Sequence, residues 1–207
     1  MKAKLVFATH NQGKIKELKH LFVGFEDRLE LLCLGDVSVP DVIEDGNSFF
    51  ENASKKAIQT SIATGLPALA DDSGLVVDAL GGAPGIYSAR YAGTPSSDAN
   101  NNLKLLQDMN DIPQKDRQAH YFASLVFADT QSDLKNEVYE ASGQCHGQIM
   151  SEPRGDGGFG YDPLFLLPKY GKTLAEMPPA AKTDLTHRAK ALKNMIPKIL
   201  GHFKLVN

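Results

Sequence analysis

VFATHNQGKIKELKHLF, residues 6–22, begins as an apolar, strand-like run, passes through Thr, Asn, Gly and Lys, and ends as a helix. Ile15, Leu18, Leu21 and Phe22 recur at helical spacing, so one face of that helix meets a core. The junction between the two has two readings. Thr9 and Asn11 are ordinary capping residues. Alternatively, backbone N–H groups at the helix N-terminus receive an anion and Lys14 closes over it. A Walker A loop is excluded, since only Gly13–Lys14 matches G-x-x-x-x-G-K-[ST].

Outward from this unit, strands and helices continue to mix. LELLCL (29–34) suits a buried strand, and EDGNSFFENASKKAIQTSIATG (44–65) carries a turn, a cap and a helix ending near Gly65. LPALADDSGLVVDAL (66–80) reads as two short strands around a polar knot, GGAPGIYSARYAGT (81–94) as loop, and residues 96–110 as helix. AHYFASLVFADT and NEVYEASGQCHGQI, rich in alternating aromatic and β-branched residues, predict long strands paired antiparallel, with QSDLKN (131–136) as the hairpin loop. GDGGFGYDPLFLLP is a glycine-rich loop entering an apolar strand. The last helix, from about Thr183, buries Ala189, Leu192, Met195, Ile196 and Ile199 and is expected to bend or break at Pro197. The fold class is α/β, and 207 residues suffice for a single domain, possible as two lobes.

Composition narrows the function. A net charge of −3 argues against a general nucleic-acid binder. No apolar run nears the roughly 20 residues that span a bilayer, and the N-terminus has no secretory pattern. Cys33 and Cys145, far apart and without C-x-x-C spacing, read as reduced thiols, making the cytoplasm the default. The charge is unevenly spread. Four acidic and no basic residues lie between Asp41 and Glu51, whereas six Lys or Arg and one Asp lie between Lys182 and Lys204. Solvated faces explain this pattern, and so does a nucleotide with its metal ion.

Four further stretches carry possible chemistry. In EDGNSFFEN, Ser48 and Glu51 fit a capping box and Gly46–Asn47 a turn, which leaves Glu44 and Asp45 unexplained, with Lys56 two turns along the helix. In ADDSGL, the adjacent Asp71 and Asp72 form either an Asx-turn with Ser73 or part of a magnesium site, for which one or two carboxylates plus substrate phosphate suffice. In GGFGYDP, glycines admit close approach of a flat ligand and Phe159 or Tyr161 offers a stacking face, although such loops are also common turn material. In KTDLTHR, Lys182, His187 and Arg188 supply donors that would select a carbonyl oxygen, or simply begin a basic helix.

ATHNQGK, EDGNSFFENA, ADDSGL, GGAPGIYSARYAG, GGFGYDP and THR, in this order, resemble the inosine triphosphate pyrophosphatase family of non-canonical purine nucleoside triphosphate (dITP/XTP) diphosphatases. The resemblance runs from Phe7 to about Leu192, with ADDSGL and PGIYSARYAG its most specific elements. It implies an elongated, two-lobed α/β fold around a long mixed sheet, with the nucleotide in the cleft between lobes, and a homodimer. It also implies magnesium-dependent hydrolysis of ITP, dITP and XTP to monophosphate and pyrophosphate. By motif position, Thr9, Asn11 and Lys14 would hold phosphates, and Glu44 and Asp72 the magnesium, with Asp72 also the base and Ser73 beside it. Phe159, Gly160, Tyr161 and Asp162, with Lys182, His187 and Arg188, would form the base pocket. Thr186 stands where the family usually has Ser, keeping a hydroxyl, and His10 where Gly is frequent.

In the mechanism this implies, Asp72 orients or deprotonates water, while Lys14 and Lys56 offset charge on the leaving pyrophosphate. No Cys or Ser–His–Asp nucleophile is suggested. The competing readings are a diphosphatase for pyrimidine or methylated nucleotides and a non-catalytic nucleotide sensor.

Overall fold

A computed structural model describes residues 2–132 and 137–205. Seven strands form one mixed sheet in the order β2-β1-β3-β4-β5-β6-β7. β1 (Ala3–Phe7) leads into α1 (Gln12–Leu21), and β2 (Leu29–Cys33) precedes α2 (Phe49–Thr64), which ends on Gly65 in the left-handed conformation. β3 (Ala68–Val77) is followed by a 3-10 segment (Gly85–Arg90) and α3 (Asp98–Asp108). Then come β4 (Gln118–Ala128), β5 (Val138–Ile149), β6 (Phe165–Leu167), β7 (Lys172–Thr173), the short α4 (Pro179–Lys182) and α5 (His187–His202).

β1 is parallel to both β2 and β3, whereas β6 is antiparallel to β5 and β7. β4 and β5 carry two cross-strand ring pairs, Phe127–Tyr139 at 5.7 Å and His120–His146 at 5.4 Å, and the Ile149 N–H donates to the Arg117 carbonyl. Partner numbers rise along one strand as they fall along the other, so the pair runs antiparallel, as its alternation predicts. The expected hairpin loop at 131–136 lies mostly outside the described residues.

The chain divides into two compact units. The first comprises residues 1–72, 123–142 and 188–207, and the second residues 73–122 and 143–187. In the first, strand alternation sends Leu5, Phe7, Leu69, Leu125 and Phe127 into one core with Ile15 and Leu18 of α1 and Leu192, Met195 and Ile199 of α5. Ala8, Ala70, Val126 and Ala128 face the other way, against Ala53 and Ala57 of α2. Covered on both faces, these strands read as continuous apolar runs. The second unit has its own core, including Leu75, Leu105, Met109, Tyr121, Ile149, Tyr161 and Phe165.

Three local expectations are corrected. The polar knot in LPALADDSGLVVDAL does not interrupt a strand; β3 runs through Asp71, Asp72 and Ser73 without a break. α5 starts at His187 rather than Thr183 and is not broken at Pro197, with Leu192, Met195 and Ile199 fully buried along it. At α2 only half of the capping box forms. Ser48 Oγ accepts from the Glu51 N–H, but Glu51 accepts from Asn47 rather than from Ser48.

Candidate active site

In the first unit, the capping reading of the opening junction holds at the backbone. Asn11 Oδ1 accepts from the Lys14 N–H at 3.1 Å, and Thr9 Oγ1 from the Asn11 N–H at 3.2 Å. The Lys14 ammonium, however, turns inward, 3.3 Å from the Asp71 carbonyl oxygen and 3.5 Å from its carboxylate. Burial lowers its pKa; Asp71 opposes that shift, and Lys56 and Arg188 add to it.

Continuity of β3 decides what the two aspartates do. Successive strand side chains point to opposite faces, so Asp71 follows Leu69 toward α1 and α5, whereas Asp72 follows Ala70 toward α2. Asp71 is fully buried and pairs with Arg188 from α5 and Lys14 from α1; Arg188 in turn pairs with Glu17. Burial by itself would raise the Asp71 pKa, but Arg188, then Lys14, hold it well below the usual carboxylate range. The mutual repulsion of adjacent aspartates is thus relieved on the Asp71 side by Arg188 and Lys14. Asp71 has its countercharges built in.

Asp72 faces different groups. Asn52 of α2 donates to its Oδ2 at 3.1 Å, and the Lys56 ammonium lies 3.8 Å from its Oδ1 and 3.2 Å from Glu44 Oε2. Lys56 also donates to the Asp71 carbonyl at 2.8 Å. Burial pushes the Asp72 carboxyl up to about 6, opposed by Lys56 and Lys14 and reinforced by Glu44. Asp45 is not part of this cluster; it pairs with Lys55 on the exposed side, and that hydrogen bond holds its pKa down.

Asn52 escaped the sequence reading. It is 1% exposed, and its Oδ1 accepts from the Gly46 N–H at 2.8 Å while its amide nitrogen serves Asp72. One side chain thus ties the Glu44–Gly46 loop to the carboxylate on β3. A Cβ on Gly46 would come within 2.8 Å of Asn52 Oδ1 and of Glu51 Cβ, so the turn requires glycine. The only signal in the sequence was a polar residue on the face of α2 that otherwise carries Ala53, Lys56 and Ala57.

The second unit holds the remaining candidates. Ser73 is half-buried at its first position. Lys182 donates to Asp162 Oδ2 at 3.0 Å, and the His187 ring stacks on Tyr121 at 4.8 Å with 9° between planes. Tyr161 is 3% exposed and its hydroxyl donates to the Ser88 carbonyl at 2.8 Å, so it belongs to the core. Phe159, by contrast, is half-buried. Within the loop, Gly158 and Gly160 are required for separate local reasons. A Cβ on Gly158 would fall 1.9 Å from Asp162 Oδ2, so that glycine makes room for the chain's own carboxylate. Gly160 has φ +62, a left-handed conformation that favours glycine. Of the basic residues assigned to the base pocket, Lys182 pairs with Asp162, and Arg188 with Asp71 and Glu17.

The Ham1 family model matches residues 5–198. A dITP/XTP pyrophosphatase of Xanthomonas oryzae pv. oryzae is 49% identical over 94% of this chain and 96% of its own length. Another, from Geobacter sulfurreducens, is 47% identical over 91% and 92%. Among solved structures, a HAM1 protein from Coxiella burnetii superposes with a TM-score of 0.86 at 36% identity, covering 96% of this chain and 99% of that one. A nucleoside-triphosphatase, dITP/XTP pyrophosphatase, from Mycobacterium abscessus gives a TM-score of 0.73 at 38% identity, covering 94% and 99%. With a family model matching residues 5–198 and relatives nearly half identical over nearly its whole length, the chain belongs to the Ham1 family.

Proposed function

We propose that this protein hydrolyses non-canonical purine nucleoside triphosphates, ITP, dITP and XTP, to the monophosphate and pyrophosphate. The observation that carries this reading is the Asp72 cluster, in which one carboxylate oxygen is tied to Asn52 and the other faces Lys56 beside Glu44. The names of its close relatives support the substrate class.

A magnesium ion fits this donor set. Glu44 and Asp72 both approach the Lys56 ammonium, and their hard carboxylate oxygens suit magnesium, which needs only one or two carboxylates when substrate phosphates complete its shell. When bound there, magnesium would neutralise phosphate oxygens and lower the pKa of a coordinated water. Asp72, whose carboxyl burial pushes up to about 6 in the metal-free protein, would orient the attacking water and accept its proton. Lys14 and Lys56 offset the charge that grows on the leaving pyrophosphate. Lys182 and Phe159 serve the base, as a donor and a stacking face. The resemblance further suggests a homodimer, and the two buried, unlinked cysteines agree with a reducing compartment such as the cytoplasm.

Phosphate release in the presence of inorganic pyrophosphatase separates the readings. ITP should give signal and dTTP should not; signal on dTTP favours the pyrimidine reading, and silence on both favours a sensor. In oxygen-18 water, the label should enter IMP, because attack at the α-phosphorus releases pyrophosphate as one unit. Label in pyrophosphate would place the attack at the β-phosphorus and overturn the roles of Lys14 and Lys56.

Lys182 tests the base side. Loss of a charged donor costs about 1.5–3 kcal/mol, and ATP offers an amino group where ITP offers a carbonyl. Lys182→Ala should therefore lower kcat/KM for ITP by that amount and for ATP by less. Equal losses would assign Lys182 to the phosphates.

A further inference from the structure

The motif GGAPGIYSARYAG has no role in the reading above, and neither does α3. Both converge on the glycine loop. Asp98, in the first turn of α3, accepts the Gly160 N–H on Oδ2 at 2.7 Å. One turn on, Asn102 Nδ2 donates to the Gly160 carbonyl at 2.9 Å and to the Asp98 carbonyl at 2.8 Å. The two backbone groups of Gly160 are thus gripped by one helix turn, and the residue they fix is the one with φ +62. The Asn102 amide is used as a donor, since among the described residues its buried Oδ1 has no hydrogen-bonding partner.

The neighbouring Asn101 grips the second loop. Its Oδ1 accepts from the Ala92 N–H at 2.8 Å and its Nδ2 donates to the Ala89 carbonyl at 3.2 Å. The two loops are themselves joined, because Tyr161 donates to the Ser88 carbonyl at 2.8 Å and Ser88 Oγ accepts the Leu75 N–H of β3 at 2.8 Å. α3, the SAR segment and the glycine loop therefore form a closed circuit of hydrogen bonds within the second unit.

We infer that Asp98 and Asn102 are specificity-positioning residues, which fix the Phe159–Asp162 loop in the conformation that presents Phe159 and the Lys182–Asp162 pair to the base. The inference rests on the proposed assignment of that loop to the base. Both residues bond the loop assigned to the base, and neither belongs to the Asp72 cluster, so their loss should act on substrate recognition. A net hydrogen bond of about 0.5–1.5 kcal/mol corresponds to roughly a two- to tenfold effect. Asp98 is exposed, so Asp98→Ala leaves the core intact; Asn102→Leu keeps the branched shape at the second position and removes the donor.

Steady-state kinetics on ITP and ATP, with hydrogen exchange at the amides of residues 157–162, tests this. Both variants should raise KM for ITP roughly two- to tenfold, leave kcat within about twofold, reduce the preference for ITP over ATP and speed exchange at Gly160. Asp98→Asn, which keeps an acceptor oxygen, should restore the wild-type preference. Folded variants with unchanged KM, preference and exchange overturn the inference while leaving the functional reading in place. A fall in kcat at constant KM and preference overturns it too, by placing the circuit in the chemical step. Wild-type protein inactive on ITP would overturn both together.

Discussion

Asp72→Asn is expected to lower the turnover of ITP at least a hundredfold, the lower end of what a positioned general base supplies. Nucleotide affinity should stay within about tenfold, because Lys14 and Lys56 remain. The fold should not suffer. Burial opposes the charged form of this carboxyl, whose pKa rises to about 6. Such a group contributes stability below its unfolded value of about 3.9 and loses it as pH rises through about 6. At pH 7 the neutral amide should therefore leave the melting temperature of the metal-free protein unchanged or raise it. The Asn52 bond to Oδ2 would survive, since the amide oxygen accepts in its place. Single-turnover kinetics and a thermal melt check the prediction, and residual activity above about a tenth of wild type would remove Asp72 from the role of base.

Arg188→Ala should have the largest effect on stability. Its guanidinium is 2% exposed and lies between Asp71, which is fully buried, and Glu17. Among the described residues Asp71 Oδ1 has no hydrogen-bonding partner, and its carboxylate is compensated by Arg188 and Lys14. Removing one partner of a buried ion pair costs about 3–5 kcal/mol, which for a chain of this size lowers the melting temperature by roughly 10 °C. Asp71→Asn in the same background should recover part of the loss, since the uncompensated charge is then gone. Denaturant unfolding of the single and double variants measures both. A stable Arg188→Ala protein with altered choice between ITP and ATP would return Arg188 to the base pocket that its place in THR suggests.

These two variants also mark the limit of legibility. The order of strands and helices, the Asn11 and Ser48 caps, the Gly65 stop and the family were readable because each rests on residues close in sequence. Glu44, Asp72, Lys14 and Lys56 were readable as a set because their motifs are distinctive. The separate fates of Asp71 and Asp72 were not. They depend on β3 continuing through a polar stretch, and a strand that continues sends neighbours to opposite faces.

Only the tertiary structure could then supply the partners. Arg188 meets Asp71 across 117 positions of chain, Asn52 meets Asp72 across 20, and Tyr161 meets Ser88 across 73. The glycine loop shows the same division. Its composition announced close approach, but which group approaches, Asp162 at Gly158, depends on the path of the folded backbone. The residue types determined which chemistry this protein can hold. Packing decided which charges neutralise one another and which are left to act, because the cost of burying a charge depends on neighbours that only folding assembles.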